Sequence, residues 1–225
     1  MRRGFLQSWR QWYGLKSFEI FAYLQGYTFR VAQSLSDLEA VYQIRWEVYR
    51  EAGYIHPASF PDRRMKDRFD EWSFNLLAFH KEKPVGTLRL TPLYKGSPIL
   101  ELFSVAKWPD PQRTMEIGRF AVLAEERRSR LVALGLIGKM TEWSLKNHFD
   151  WWVGYAPHPL LKTFRPLFRY EVLPTLPLGE REKQARQVMA GYFKRYEKWL
   201  VVFQSRVEWV TSWHWRKVLG KSVFS

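Results

Sequence analysis

Among its 225 residues the chain has no cysteine. This excludes disulfide frameworks, thiolate nucleophiles and thiolate zinc sites together. Five histidines (His56, His80, His148, His158 and His214) are scattered without HxxxH or HExxH spacing, so no metal site is expected. No stretch approaches the roughly 18–20 apolar residues that span a bilayer. The opening "MRRGFLQSWRQWYG" has the basic start of a signal peptide, but polar and charged residues interrupt any apolar core. A cytoplasmic protein is expected. Acidic residues are few beside basic ones, 22 against 36, giving a net charge of +14. The first 25 residues hold four basic and one acidic residue, and residues 180–225 hold ten and four. Such an excess implies an acidic partner: nucleic acid, an anionic membrane or an acidic protein.

What is present is apolar and aromatic, 46% and 17% of the chain, enough for a folded core. "YTFRVAQ" (27–33) alternates like a strand. "SLSDLEAVYQIRWEVYREAG" follows as a helix, with Ser36 as N-cap, Glu39 completing a capping box and Gly53 ending it. "FNLLAFH" (74–80) and "VGTLRLTPL" (85–93) form a hairpin about "KEKP". After a Pro/Gly-rich crossing at 94–113, "MEIGRFAV" (115–122) is a strand. "SRLVALGLIGKMTEWSLKN" (129–147) is a helix, "WWVGYA" (151–156) a buried strand, "PLLKTFRPLFRY" a helix and "EVLPTL" a last strand. From about Glu180, Tyr192, Tyr196, Trp199, Phe203, Val207 and Val210 recur every three or four residues, the pattern of a long basic amphipathic helix. The expected organisation is a basic aromatic extension (1–26), a mixed-sheet α/β domain (27–178) and a C-terminal helical extension (179–225).

This element order resembles the acetyltransferase-like (GNAT) fold. Within it, Arg45 with Tyr49, then Asp67 and Asp70 in "DRFD", Arg89 in "GTLRL" and Glu116 with Arg119 in "EIGRFAV" resemble the acyl-homoserine-lactone synthases and their relatives, the N-acyl amino acid synthases. Lactone-forming synthases usually have tryptophan before the glutamate, serine before the arginine and phenylalanine at the tyrosine; here Met115, Gly118 and Tyr49 stand there. Those departures, with the "EAGYIHP" loop, place the resemblance nearer the N-acyl amino acid synthases and away from S-adenosylmethionine and lactone formation. The resemblance implies an acyltransferase with no bound cofactor. It would move a fatty acyl chain from a phosphopantetheine thioester to an amino acid amine.

Residues 116 and 119 face opposite sides of a regular strand. A bulge at Gly118 would change that and leave a backbone N–H able to polarise a thioester carbonyl. Glu116 could then take the amine proton, its pKa raised in an apolar cleft. Alternatively, Glu116 and Arg119 form buried ion pairs with Arg89, Asp67 or Asp70. Arg45, on the apolar side of its helix, should meet Asp67, Asp70 or the substrate carboxylate, or snorkel to solvent. Tyr155 is either the acid for the leaving thiolate or a wall residue.

Coenzyme A-dependent acetyltransferases carry a Gly-rich turn at the helix after this strand. Here "RSRLVA" (128–133) has Leu131 in place of the key glycine. Arg127, Arg128 and Arg130 remain there for a phosphate, unless they form only a solvated face. The expected donor is therefore an acidic acyl carrier protein, with acyl-CoA the alternative. Half of the twelve tryptophans (Trp9, Trp12, Trp199, Trp209, Trp213 and Trp215) lie in the extensions, where they suit core packing, an acyl tunnel cover or a peripheral membrane contact. The rival of another class is a non-catalytic membrane- or nucleic-acid-binding module. Recognised nucleic-acid motifs are absent and no nucleic-acid partner is expected.

Overall fold

The computed structural model describes residues 16–103, 108–157, 170–172 and 198–204. Seven strands form one sheet: β1 Tyr27–Val31, β2 Phe74–His80, β3 Lys83–Pro92, β4 Thr114–Val122, β5 Trp151–Pro157, β6 Tyr170–Val172 and β7 Lys198–Gln204. Their order across the sheet is β1-β2-β3-β4-β5-β7-β6. Every pair is antiparallel except β4 with β5. Helices α1 Leu35–Glu51, α2 Pro98–Leu102 and α3 Leu131–Lys146 connect the strands. This is the acetyltransferase-like α/β architecture.

Helix α1 starts one turn-signal earlier than its sequence suggests. Ser34, not Ser36, is the N-cap, and Asp37 rather than Glu39 closes the capping box. Ser36 Oγ meets Ser34 Oγ at 2.8 Å, while Glu39 accepts from Arg64 Nε at 2.8 Å. Two serines two residues apart compete for one cap, each with an acidic residue three positions on; Asp37 reaches back to the Ser34 amide, whereas Glu39 is held by Arg64. The β2–β3 hairpin turns on Lys81 and Glu82, both left-handed (φ 47° and 65°), as two-residue hairpin turns demand.

Side-chain alternation divides the sheet into two faces. Leu76, Leu88 and Leu90 point towards α3, where Gly86 lies under Val132 and Gly135 lies against the Phe29 ring. A Cβ on Gly135 would sit 1.9 Å from Phe29 Cζ, so glycine sets how closely the helix approaches. The opposite face, bearing Asn75, Arg89 and Glu116, lies under α1. Residues 16–24 are helical, and Phe18 and Ala22 from that stretch join the main core.

The C-terminal region departs from its sequence pattern. The run "KWLVVFQ", containing Trp199 and Phe203, is strand β7 between β5 and β6, not part of a helix. Valines and aromatics are stiff at χ1 and suit a pleated, half-buried surface. A three-to-four spacing of such residues does not by itself separate a helix from a strand. The boundary expected at 178 therefore does not separate this strand from the domain. The expected helix at 159–170 and the rest of both extensions lie outside the described residues.

Candidate active site

Two rows of cross-strand neighbours carry the polar face. Asn75, Arg89 and Gly118 stand side by side, and Thr91, Glu116 and Val153 form the next row. Charges buried on a sheet need partners, since an unpaired one costs several kcal/mol. The partners come from α1 above and from a 3-10 turn, Arg68–Glu71, beside it.

At the back, Arg45 is fully buried and donates through Nη1 to Asp70 Oδ1 at 2.8 Å and through Nη2 to Asn75 Oδ1. Of the partners expected from sequence for Arg45, Asp70 is the one it meets. Arg45 is the fully buried end of a network whose partly exposed end is Arg119 with Asp67. Arg89, equally buried, bridges forward: Nη1 is 2.6 Å from Asp67 Oδ1 and 3.5 Å from Asp70 Oδ1. At the front, Arg119 Nη2 donates to Asp67 Oδ2 at 2.7 Å, and these two side chains keep 17% and 26% exposure. Asp67 also N-caps the 3-10 turn, accepting from Phe69 N at 3.0 Å, while its own N–H donates to Asp70 Oδ2 at 3.0 Å. Burial alone would raise the Asp67 carboxyl, but Arg89 and Arg119 outweigh it and hold the group down at about 2.

Glu116 is buried at the centre. Oε2 accepts from the Ile99 amide at 2.9 Å, and Oε1 lies over Gly118, 3.3 Å from where a Cβ would stand. Burial pushes its carboxyl above the usual range, against the opposing pull of the Ile99 amide and Arg89. A buried carboxyl raised in this way, beside a charge network, is the setting of an acid–base group.

The strand ladder shifts register between Thr87↔Ala121 and Arg89↔Gly118, so β4 contains one residue more than β3 there. The left-handed residue of this bulge is Arg119 (φ 52°), not Gly118. Glycine at 118 instead leaves room for Glu116 Oε1. The extra residue brings Arg119 round to the face that carries Glu116, with its guanidinium 5.9 Å from the Tyr49 ring. Beyond Glu116↔Val153 the parallel β4–β5 ladder stops, and the two strands run on without pairing.

Tyr155 stands on the part of β5 that has parted from β4 but still pairs with β7, packed with Trp108 and Trp151 against a second apolar cluster of Leu93, Ile99, Leu102, Phe103 and Val153. Its ring lies 5.6 Å from that of Phe103. Burial pushes the Tyr155 phenol well up, with Arg119 opposing, so it stays protonated at neutral pH. On the other side of the bulge, a cleft of about 310 Å³ opens between the end of α1 and the start of α3, lined by Val48, Phe120, Val122, Glu126, Arg127 and Arg130, among others. Arg127 is committed: Nε donates to Val122 O at 2.9 Å, and Nη1 and Nη2 grip Glu51 at 3.0 and 2.6 Å. Arg130 is the left-handed N-cap of α3 (φ 58°), with no side-chain cap bond, and Arg128 is exposed beside it.

The model of the N-acyl amino acid synthase FeeM family matches residues 40–173, which span the whole charge network from Arg45 to Arg119 and Tyr155. The chain belongs to that family. It is an acyltransferase. Among solved structures, the acyl-homoserine-lactone synthase LasI is similar at a TM-score of 0.59 and 15% identity, covering 80% of this chain and 90% of that one. BjaI, a CoA-dependent acyl-homoserine-lactone synthase solved with SAM and isopentyl-CoA, matches at 0.57 and 21%, covering 82% and 80%. FeeM itself, from uncultured soil microbes, matches at 0.53 and 18%, covering 88% and 98%. No curated protein matches the chain.

In this acyltransferase the sequence-predicted residues Arg45, Asp67, Asp70, Arg89 and Arg119 form one continuous network. Glu116 and Tyr155 adjoin it, and Arg127 and Arg130 line a separate cleft. Three participants were not legible as such: Asn75, a lone amide in an apolar strand, and Ser97 and Ile99, inside a segment that reads as loop. The "SP" at Ser97–Pro98, an N-cap type followed by proline at N1, was the available helix signal. Among the described residues no group of three metal-ligating side chains occurs, and no helix is long and apolar enough to cross a membrane.

Proposed function

We propose that this enzyme transfers a fatty acyl chain from the phosphopantetheine thioester of an acyl carrier protein to the amine of an amino acid, giving an N-acyl amino acid. The observation that carries the reading is Glu116: a buried carboxyl with a raised pKa, set between a network of arginines and an unpaired strand edge. The acceptor enters as an ammonium and must lose a proton before it attacks. Glu116 takes that proton, directly or through a water. Nitrogen attacks the thioester carbon, and a backbone N–H at the Gly118–Arg119 bulge polarises the carbonyl oxygen. The C–S bond breaks, and the thiolate takes a proton from Tyr155, whose phenol is protonated at neutral pH. The Tyr155 oxygen recovers one from the nitrogen, directly or through a water, as that nitrogen sheds its second proton to become the amide.

Arg119 and Asp67, at the accessible front of the network, orient the acceptor's carboxylate and ammonium, with Tyr49 beside them. Arg89, Asp70 and Arg45 hold those two in place from behind. The pantetheine arm reaches the bulge along the unpaired β4–β5 edge, from the cleft beside Arg127, Arg128 and Arg130. The net charge of +14 suits an acidic carrier, and Leu131 disfavours close approach of a diphosphate. The reaction is placed in the cytoplasm, with peripheral contact at the inner membrane face through the aromatic extensions.

Mass spectrometry of extracts from expressing cells tests the reading. A ladder of N-acyl species on one amino acid, lost with Glu116→Gln, supports it. Homoserine lactones would reassign the acceptor, and an active, folded Glu116→Gln would remove the base.

A further inference from the structure

The start of α2 is capped in an unusual way. In an ordinary N-cap the side chain of the cap residue accepts from the N2 or N3 amide. Here the cap residue is Ser97, N1 is Pro98 and N2 is Ile99, yet the Ile99 amide donates to Glu116 Oε2, seventeen residues away. Leu100 N donates to Ser97 O at 3.1 Å, so the backbone closes the turn without the hydroxyl. Glu116 thus occupies the position that Ser97 Oγ would ordinarily take.

The displaced hydroxyl is left beside the carboxyl that displaced it. Ser97 is 1% exposed, and its Oγ has no hydrogen bond of good geometry. A buried hydroxyl without a partner is costly, and such groups in native proteins call for an explanation. Its neighbour is an acceptor with a lone pair to spare, and its presence favours the Glu116 anion.

We propose that Ser97 is a positioning residue for the acyl-transfer base: its hydroxyl donates to the Glu116 carboxylate and, with the Ile99 amide, fixes the carboxylate's orientation and the pH at which it can accept a proton. The proposal rests on Glu116 being the base. The device solves a specific problem. Burial disfavours the charged carboxylate that must accept the proton from an amine. One backbone amide and one hydroxyl return part of the lost hydration, and both come from a single short helix turn.

The experiment is a titration of the Glu116 carboxyl in the full chain, read as the infrared carboxyl band that disappears in Glu116→Gln, before and after Ser97→Ala. The midpoint should move up by about one pH unit, since one charge-assisted donor is lost. The acidic limb of kcat/KM should move with it, while KM for both substrates on the plateau stays within about twofold. Ser97→Cys, a weaker donor of similar size, should fall between the two. An unmoved midpoint in either folded variant overturns the proposal, because a purely structural serine would change the thermal midpoint alone. If Glu116→Gln keeps its activity the base reading falls, whatever the titration shows. If Glu116→Gln is inactive and the midpoint stays put, only the role of Ser97 falls.

Discussion

Arg119 and Asp67, 52 residues apart in the chain, meet through a 2.7 Å hydrogen bond that depends on one left-handed residue. Without the extra residue in β4, Arg119 would face away from Asp67, which would keep Arg89 as its one guanidinium partner in the network. A non-glycine residue at φ 52° stores about 1 kcal/mol of backbone strain. That strain yields a functional prediction. Arg119→Gly relaxes the backbone while removing the guanidinium, so stability should stay within about 1 kcal/mol of wild type. Acyl transfer should fall roughly 100-fold, because the acceptor is no longer oriented. Thermal denaturation beside a transfer assay checks both; an equal loss in each would make Arg119 a structural residue.

The back of the network should behave in the opposite sense. Arg45 and Asp70 are both buried and tied at 2.8 Å. Arg45→Met removes the closest cation from a buried carboxylate, leaving it Arg89 at 3.5 Å and the Asp67 amide, and should cost about 3 kcal/mol. Adding Asp70→Asn, which removes the buried charge and keeps the amide-sized shape, should recover on the order of 2 kcal/mol of that loss. Urea unfolding of the two single variants and the double one closes the cycle. Additive losses would show that the pair is not coupled.

Gly135 gives a prediction whose sign contradicts helix propensity. Glycine within a helix normally costs about 1 kcal/mol relative to alanine. Here the added methyl would meet Phe29 ring carbons at 1.9, 2.1 and 2.4 Å, inside the core between α3 and β1. Gly135→Ala should therefore destabilise by about 1–3 kcal/mol, as overpacking does. Phe29→Leu in the same chain should restore part of the loss, measured by the shift in unfolding midpoint.

What was legible in the sequence follows from how local each signal is. Helix α1 and the β2–β3 hairpin carry their periodicity and turn residues within a few positions, so their existence could be read even where Ser34 and Ser36 competed for the cap. Arg45 could be placed on the buried side of its helix by spacing alone. Its choice of Asp70 could not, because that depends on where a 3-10 turn 25 residues away comes to rest. A bulge at Gly118 is suggested by the need to bring Glu116 and Arg119 together, and the ladder does shift register beside Gly118; that Arg119 is the left-handed residue is not legible, because it goes with a side-chain pairing to the distant Asp67. The stripe containing Trp199 and Phe203 misled because a short run of valines and aromatics at three-to-four spacing does not distinguish a strand from a helix.

Asp67 makes stability depend on pH at the acid end. Its folded carboxyl is held at about 2, below the ordinary value of 3.8. A depressed carboxylate contributes stability that is fully present above the unfolded pKa and is lost as pH falls through the folded one. The expected window is therefore about pH 4 down to 2, with on the order of 2 kcal/mol at stake. Asp67→Asn should flatten the stability profile across that window. Glu116 has the reverse sign: its pKa is raised on folding, so it favours the folded state at low pH and withdraws that support as pH rises through its folded value. Denaturation midpoints measured from pH 2 to 7 separate the two residues, since only the Asp67 variant changes the acid end.

The donor cleft makes a last prediction, because its basic residues are not equivalent. Arg127 is gripped by Glu51 through both terminal nitrogens, and its Nε is fixed on Val122 O. A phosphate arriving at the start of α3 must share that guanidinium with a carboxylate. Glu51→Gln removes the competitor and should lower KM for an acyl carrier donor by roughly threefold, whereas Arg127→Gln should raise it by about tenfold. Arg130→Gln should also raise KM, since Arg130 lines the cleft without lying on the Glu51 pair. In each case kcat should hold, because the bulge and Glu116 are untouched. All three effects should shrink between about 0.05 and 0.5 M salt, as contacts between exposed charges do. An acyl-CoA donor discriminates the alternatives further. With Leu131 in place of a glycine, its diphosphate has no close backbone cradle, so Leu131→Gly should improve turnover of acyl-CoA and leave the carrier donor nearly unaffected. If wild type prefers acyl-CoA and none of the charge variants moves KM for the carrier, the cleft belongs to coenzyme A and the basic surface serves another partner.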